Sequence, residues 1–392
     1  MPSSNHAGPA PDTSFETRND TGYPRQSDDQ VALITSSASM SPTSPLQPFD
    51  FSSLSPDTVL AACEQLGIYA ESGLLPLNSY ENRVFQFRAD DKQRYVVKFY
   101  RPQRWSWPQI EEEHQFLQEL ATQSLSVAAP LQRDGQSLFQ HDGYAFCLYP
   151  SMGGRAFDSS DEQQLLQCGH LLGLLHHHGA KKTFQHRTVL ALTQQMQAAL
   201  AHLRHTHSPS ADHPMPSCDS KFAIPPAIAA ELWPLIERLI AECAAYDGQW
   251  QSRRLHGDCH AGNILQQDDR LVLLDFDDCI QGPAVADFWL LLHGEPSEQQ
   301  LQLELLLEDY QLSADFDEDE LKLIEPLRCH RMITYMAWLS KRRHDAAFVQ
   351  HFSWFGSPDY WQQQLKHLQQ QLQRLQAPPL QLHRGNSVYF YD

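Results

Sequence analysis

The chain has 392 residues, of which 41% are hydrophobic, and carries 29 basic against 48 acidic side chains for a formal net charge of −19. That length accommodates two domains or lobes with a sizeable core, and the acidic balance argues against a nucleic-acid binder, which needs a basic patch or stripe. No apolar run approaches the roughly eighteen residues of a membrane span, and Met1-Pro2-Ser3-Ser4-Asn5-His6 lacks the basic-then-apolar order of a secretory signal, so a cytoplasmic protein without a membrane partner is expected; a monomer is expected as well, on no particular stretch of the sequence.

Residues 1–47 are rich in Ser, Pro, Asp, Asn and Thr, with only Val31-Ala32-Leu33-Ile34 able to bury anything, and are expected to be disordered. A start signal at Ser55-Pro56-Asp57 and a terminal Gly67 bracket an amphipathic run, which predicts a helix that opens the folded part. Val84-Phe85-Gln86-Phe87 alternates apolar and polar positions, Asp90-Asp91-Lys92 marks a turn, and Tyr95-Val96-Val97-Lys98-Phe99-Tyr100 is strongly β-forming. Lys98 therefore sits inside a strand.

A helix is predicted over 107–120, with Pro108 in its first turn and carboxylates early, where the dipole favours them. Glu113 lies four residues before Leu117 and seven before Leu120, on the face that Ile110, Leu117 and Leu120 bury, whereas its neighbour Glu112 is the weaker candidate for that face. Asp134-Gly135 and Asp142-Gly143 are hairpin turns between short strands. The second strand, Tyr144-Ala145-Phe146-Cys147-Leu148-Tyr149-Pro150, leads into Ser151-Met152-Gly153-Gly154, where a hinge is expected.

Helices are predicted over 161–178 and 226–246, separated by a Pro-rich loop at 205–226. His176-His177-His178 before Gly179 reads as dipole and cap chemistry at a helix end. Further helices are expected from 282, over 298–309, over 318–340 and over 360–376. Arg328, Arg331, Lys341, Arg342 and Arg343 are expected on a solvated helix face, the default for charge.

The densest chemistry lies between them. Leu255 enters a polar loop, His256-Gly257-Asp258-Cys259-His260-Ala261-Gly262-Asn263, followed by Ile264-Leu265, a turn at Gln267-Asp268-Asp269-Arg270, and the apolar run Leu271-Val272-Leu273-Leu274 that delivers Asp275. Phosphoryl transfer needs a carboxylate to orient the attacking hydroxyl and oxygen ligands for Mg²⁺, and Asp258, Asn263 and Asp275 fit that short parts list. Plain turn chemistry explains the same three residue types equally well. Cys259 and Cys279 flank the stretch beside His256 and His260, but the spacing lacks the paired-ligand form of a zinc site. None of the eight cysteines forms a Cys-x-x-Cys pair, and no disulfide framework is expected.

His256-Gly257-Asp258-Cys259-His260 with Asn263, then Asp275-Phe276-Asp277, resembles the catalytic and metal-binding signatures of the aminoglycoside phosphotransferase-like kinases, relatives of the eukaryotic-type protein kinases. The stretches 76–84, 96–102, 112–116 and 254–265 resemble a bacterial serine/threonine protein kinase branch of that family, and the resemblance spans roughly 48–380. It implies an α+β, two-lobed protein-kinase-like fold: a small β-rich, nucleotide-binding N-lobe at 48–150 and a mostly helical C-lobe at 151–380, with a tail at 381–392. It also implies ATP as co-substrate, Mg²⁺ as cofactor, and Ser/Thr hydroxyls of proteins, including its own chain, as acceptors. In those terms Asp258 accepts the hydroxyl proton, Asn263 and Asp275 hold Mg²⁺, and Asp277 assists a second ion. Lys98 steadies the nucleotide phosphates, Glu113 orients Lys98, and Ser79 in the loop at 77–83 contacts phosphate. Asp287 braces the catalytic loop. Two departures stand out: that loop has no glycine, and Asp-Phe-Asp replaces the Asp-Phe-Gly of protein kinases. A small-molecule alcohol kinase acting on homoserine, choline or an aminoglycoside, and a catalytically silent nucleotide-binding module, are the alternative readings.

Overall fold

The computed structural model describes residues 50–208, 220–345 and 347–383; the extension predicted to be disordered, the centre of the Pro-rich loop at 209–219, and residues 384–392 of the tail lie outside them. In chain order the elements are α1 (Pro56–Glu64), β1 (Leu75–Pro76), β2 (Arg83–Arg88), β3 (Arg94–Phe99), α2 (Trp107–Thr122), β4 (Phe139–His141) and β5 (Tyr144–Pro150). There follow β6 (Arg155–Ala156), α3 (Glu162–Gly179), α4 (Leu192–His207), α5 (Pro226–Cys243), β7 (Arg253–Leu255), β8 (Ile264–Gln267), β9 (Arg270–Leu273) and β10 (Ile280–Gly282). The chain ends with α6 (Pro296–Tyr310), α7 (Ile324–Arg342), α8 (Phe348–His351) and α9 (Pro358–Gln376).

Strands β1 to β5 form one antiparallel sheet in the order β1-β2-β3-β5-β4, which places β3 at its centre. Side chains alternate across a strand. Tyr95, Val97 and Phe99 therefore enter one apolar cluster with Val59, Phe87 and Phe146, while Lys98 shares the opposite face with Tyr100, against α2. Helix α2 starts at a capping box between Ser106 and Gln109 and buries Ile110, Glu113, His114, Phe116, Leu117 and Leu120. A glutamate on that buried stripe has to find a cation. The chain then crosses through Ser151 to Gly154, where Ser151 N donates to Arg94 O at 2.9 Å and Gln86 Nε2 to Ser151 Oγ at 2.6 Å.

The larger lobe is helical, with a single apolar cluster running from Phe116 of α2 to Leu375 of α9. Two small sheets on its cleft side carry the chemistry-bearing loop. Strand β7 pairs antiparallel with β10, and β8 with β9 through a tight turn in which Asp268 adopts a φ of 50°. This is the strand-turn-strand read from the sequence. Among the described residues no helix is long and apolar enough to cross a membrane.

Four expectations need correction. The segment from 282 does not open a helix: Gly282 ends β10, and Ala284–Asp287 makes one 3-10 turn with Ala284, Val285, Ala286 and Asp287 all buried. Its geometry follows from where Asp287 must reach, as described below. Helix α4 continues to His207, inside the predicted loop, because that ring is fully buried against Phe355 and Trp361 and bonds to Ser340 Oγ at 2.7 Å and Phe222 O at 2.9 Å. The arginines of α7 are not solvated: Arg328, Arg331 and Arg342 are each buried, because the helix has apolar neighbours on nearly every side. Finally, Gly179 is the last residue of α3 rather than a cap, and His176 is fully buried.

Gly179 is where α3 meets β7. A Cβ there would lie 2.2 Å from Arg254 O, one residue before the loop-bearing stretch begins. Gly179→Ala should therefore lower the unfolding free energy by about 1–3 kcal/mol, the usual cost of overpacking. Urea titration of the two proteins measures it, and an unchanged midpoint would show that β7 can retreat freely.

Candidate active site

The loop between β7 and β8 is held by Asp287, whose Oδ2 accepts from His256 N and whose Oδ1 accepts from Gly257 N, each at 2.8 Å. Both carboxylate oxygens are thus aimed at consecutive backbone amides. Behind Asp287 lies a buried chain of partners: His176 Nε2 at 3.0 Å, Tyr310 OH at 3.1 Å from His176 Nδ1, and Arg253 Nη1 at 3.2 Å from Tyr310 OH. The carboxylate requires the proton of His176 on Nε2, so Nδ1 accepts from Tyr310. Burial pulls the His176 pKa down and keeps the ring neutral. Burial alone would raise Asp287, but His176, His256 and the Gly257 amide outweigh it and hold it below the usual carboxylate range.

Gly257 has a φ of +84°, and a Cβ there would lie 2.0 Å from Asp278 O, so the sharp turn before Asp258 accepts only glycine. His256 spans the turn, its Nε2 donating to Leu274 O at 2.7 Å and its Nδ1 accepting from Asp258 N at 3.3 Å. Leu274 N in turn donates to Asn263 O at 2.9 Å. Asp258, Asn263 and Asp275 are therefore tied into one unit by the loop's own backbone.

Asp258 is 4% exposed. Its Oδ1 accepts from Arg331 Nη1 at 3.0 Å, and its Oδ2 lies 3.5 Å from His260 Nε2. Burial works to raise its pKa, but Arg331 and His260 overcome that and bring it to about 2. Asn263 donates from Nδ2 to Asp258 O at 3.0 Å, which leaves its Oδ1 outside that bond. Asp275 sits in the left-handed region at φ 54°, at the mouth of the hairpin, with its side chain 42% exposed. An accessible carboxylate and an amide oxygen are hard-oxygen donors of the kind Mg²⁺ takes, with phosphate and water completing its shell. Cys259 and Cys279, by contrast, are wholly buried in the apolar core.

Across the cleft, Lys98 Nζ lies 3.2 Å from Asp275 Oδ1, 3.1 Å from Asp277 Oδ1 and 3.7 Å from Glu113 Oε1. Burial opposes its charge, but Asp277, Asp275 and Glu113 prevail and hold the pKa well above the ordinary lysine value. Glu113 also binds Arg187 through Oε2. Glu112 faces away and accepts the backbone N–H groups of Gln185, His186 and Arg187. Asp277 is 3% exposed and engaged by Lys98, Arg104 and Asn82, the last at 3.1 Å. Ser79 lies half-buried in the loop between β1 and β2.

Sequence reasoning missed the cations and amides that hold these groups. Besides Arg331, Arg187 Nη1 donates to Asp277 O at 2.6 Å, and Arg104 bridges Asp277 and Asp278. Glu81, in the glycine-free loop, binds Arg101 at 2.8 Å and Arg342 at 2.7 Å, and burial notwithstanding, Arg104, Arg342 and Arg101 bring its pKa to about 2. The available signal was α7 itself: Leu327, Met332, Ile333, Tyr335, Met336, Trp338 and Leu339 fall around most of its circumference, so its middle is buried and the arginines within it must pair.

Residues 73–324 match the phosphotransferase enzyme family. The chain is 42% identical over 338 residues to stress response kinase A of Escherichia coli strain K12, covering 85% of this chain and 97% of that protein. It is 42% identical over 337 residues to the serine/threonine protein kinase RdoA of Salmonella typhimurium strain LT2, with the same coverage. Among solved structures, amicoumacin kinase hAmiN in complex with AMP-PNP, Ca²⁺ and Ami superposes with a TM-score of 0.61 at 15% identity, over 80% of this chain and 93% of that one. A spectinomycin phosphotransferase, APH(9)-Ia, in complex with ADP and spectinomycin superposes with a TM-score of 0.57 at 13% identity, over 84% and 100%.

Asp287→Ala deprives two loop amides and His176 of their acceptor. An unsatisfied buried donor costs about 1–3 kcal/mol, so the variant should lose on the order of 3 kcal/mol of stability by denaturant titration. The amides of His256 and Gly257 should also exchange hydrogen much faster. Parent-like protection of peptides covering 255–258 would remove Asp287 from this role.

Proposed function

We propose, from the premise that this chain belongs to the phosphotransferase enzyme family and is a kinase, that it moves the γ-phosphoryl group of ATP to serine or threonine hydroxyls of proteins, its own included, with Mg²⁺. The observation that carries the chemistry is the convergence of Asp258, Asn263, Asp275 and Lys98 on one cleft, from two loops of the large lobe and the central strand of the small one. What supports the protein acceptor is the near-full-length similarity to the serine/threonine protein kinase RdoA.

In this reading Lys98, held by Glu113, contacts the nucleotide phosphates, and Ser79 approaches them from the loop above. Asn263 and Asp275 hold Mg²⁺, which when bound neutralises charge between the phosphates. Asp258 receives the acceptor's hydroxyl proton on Oδ2 while the oxygen forms its bond to the γ-phosphorus. The bond from that phosphorus to the bridging oxygen breaks, and ADP departs with the electron pair. Little base strength is needed, since the transition state is loose and bond formation to the acceptor is slight, which is compatible with a carboxylate whose pKa is about 2.

A cavity of about 40 Å³ lined by Leu190, Gly257, Asp278, Ile280 and Arg331 lies against the catalytic loop. The structural neighbours include antibiotic kinases, so a protein hydroxyl and a small alcohol are the two acceptors to be separated. Incubation with labelled ATP, with and without a generic basic protein or a panel of small alcohols, separates the two. Label only on small alcohols would reject the protein-kinase reading, and measurable ATP binding without transfer to any acceptor would favour a silent module.

Asp258→Ala should lower phosphotransfer by about 10²–10⁴-fold, the range of general-base losses, with ATP affinity retained in a binding titration. Near-normal turnover would discard Asp258 as the base. Asp275→Asn should shift the Mg²⁺ activation curve to higher concentration. A superimposable curve would exclude Asp275 as a ligand.

A further inference from the structure

We infer that Arg331, from the middle of α7, is a positioning residue for the proposed catalytic carboxylate: it fixes the rotation of Asp258 so that Oδ2 faces the acceptor. The inference rests on the reading of Asp258 as the base. Its structural ground is independent of the motif, because Arg331 stands 73 residues further along the chain.

The terminal torsion of an aspartate is soft and roughly two-fold, so nothing in the side chain itself chooses which oxygen points where. The loop backbone fixes where Asp258 begins, through Asp287 and His256, but not how its carboxylate turns. Arg331 Nη1 holds Oδ1 at 3.0 Å with both side chains only 5% exposed, so the bond is shielded from water. The remaining oxygen, Oδ2, has His260 Nε2 at 3.5 Å, too far for a strong bond. It is the oxygen left to take a proton.

Arg331 starts from the buried middle of α7, next to His330, whose carbonyl accepts from Thr334 Oγ1 at 2.7 Å and whose Nε2 meets Gln195 Oε1 at 2.8 Å. It also lines the cavity beside Gly257. One residue therefore reaches both the Asp258 carboxylate and the cavity lined by Gly257. Arginine suits this task better than lysine, since its planar fork defines direction as well as charge.

The experiment compares Arg331→Met, Arg331→Ala and Asp258→Ala. Methionine keeps most of the stem's volume and removes the guanidinium, and so tests positioning with packing retained; thermal unfolding identifies which variants are folded. Both arginine variants should lose about 100-fold in kcat, the scale of a misplacement near 1 Å, with KM for ATP unchanged. Added guanidinium chloride should restore kcat in Arg331→Ala, which leaves room for the ion, and not in Arg331→Met, which fills it. Folded Arg331→Met with parent-like kcat would overturn the inference, because a purely structural arginine is replaced by its volume alone. Equal loss of ATP binding and kcat without rescue would overturn it as well. Normal turnover of Asp258→Ala would instead bring down the reading of Asp258, a distinguishable failure.

Discussion

One buried carboxylate, Asp277, joins the two lobes. From the small lobe it receives Lys98, Arg104 and Asn82, and its own backbone carbonyl accepts from Arg187, which continues to Glu113 on α2. Removing so many charges from water costs several kcal/mol per ion, and only good mutual geometry offsets that. Such a cluster is thus weak evidence of net stability, but it does fix which groups of the two lobes face one another. Break one member and the others are left buried and unpaired, at about 3–5 kcal/mol. The position of Lys98 relative to Asp275 is consequently a property of the network rather than of either lobe.

A second tie crosses the cleft at the glycine-free loop. Glu81 gathers Arg101, Arg104 and Arg342 and accepts from Trp338 Nε1 at 3.2 Å. Tyr80 beside it packs edge-on to Trp338 and Phe352 and donates to Asp345 Oδ2 at 2.9 Å. A glycine-rich loop reaches phosphates through backbone freedom. Here the same position is held by ion pairs and aromatic edges, so the absence of glycine is matched by contacts that make such freedom unnecessary. Arg104 contacts both Glu81 and Asp277, and the two ties behave as one.

What could be read from the sequence was what lies close along it. Asp258, Asn263 and Asp275 fall within one strand-turn-strand, so residue type and order were enough to group them. Lys98 was placed in a strand by its β-forming neighbours and Glu113 on a buried helix face by phase, while the roles of both came from the family resemblance. The partners of these groups were not legible, because each comes from a remote element: Arg331 to Asp258, Arg104 to Asp277, Arg342 to Glu81. The misread helix at 282 has the same origin. Local propensity favoured a helix through Ala284-Val285-Ala286, but Asp287 must reach the amides of His256 and Gly257, and a single 3-10 turn delivers it there.

The distribution of charge bears on how a nucleotide enters. The chain is acidic overall at −19, and the described cleft does not offer a bare positive hole. Lys98 already faces Asp275, Asp277 and Glu113, while Arg104, Arg187 and Arg331 are each committed to a carboxylate or carbonyl. On the proposed reading, a triphosphate arriving beside Asp258, Asp275 and Asp277 meets like charge at close range, where the effective dielectric makes repulsion costly. On the same reading Asn263 and Asp275 would hold a divalent cation, whose charge would offset that repulsion, while Lys98, 3.7 Å from Glu113 Oε1, would serve the phosphates from the small lobe without needing a second cation beside it.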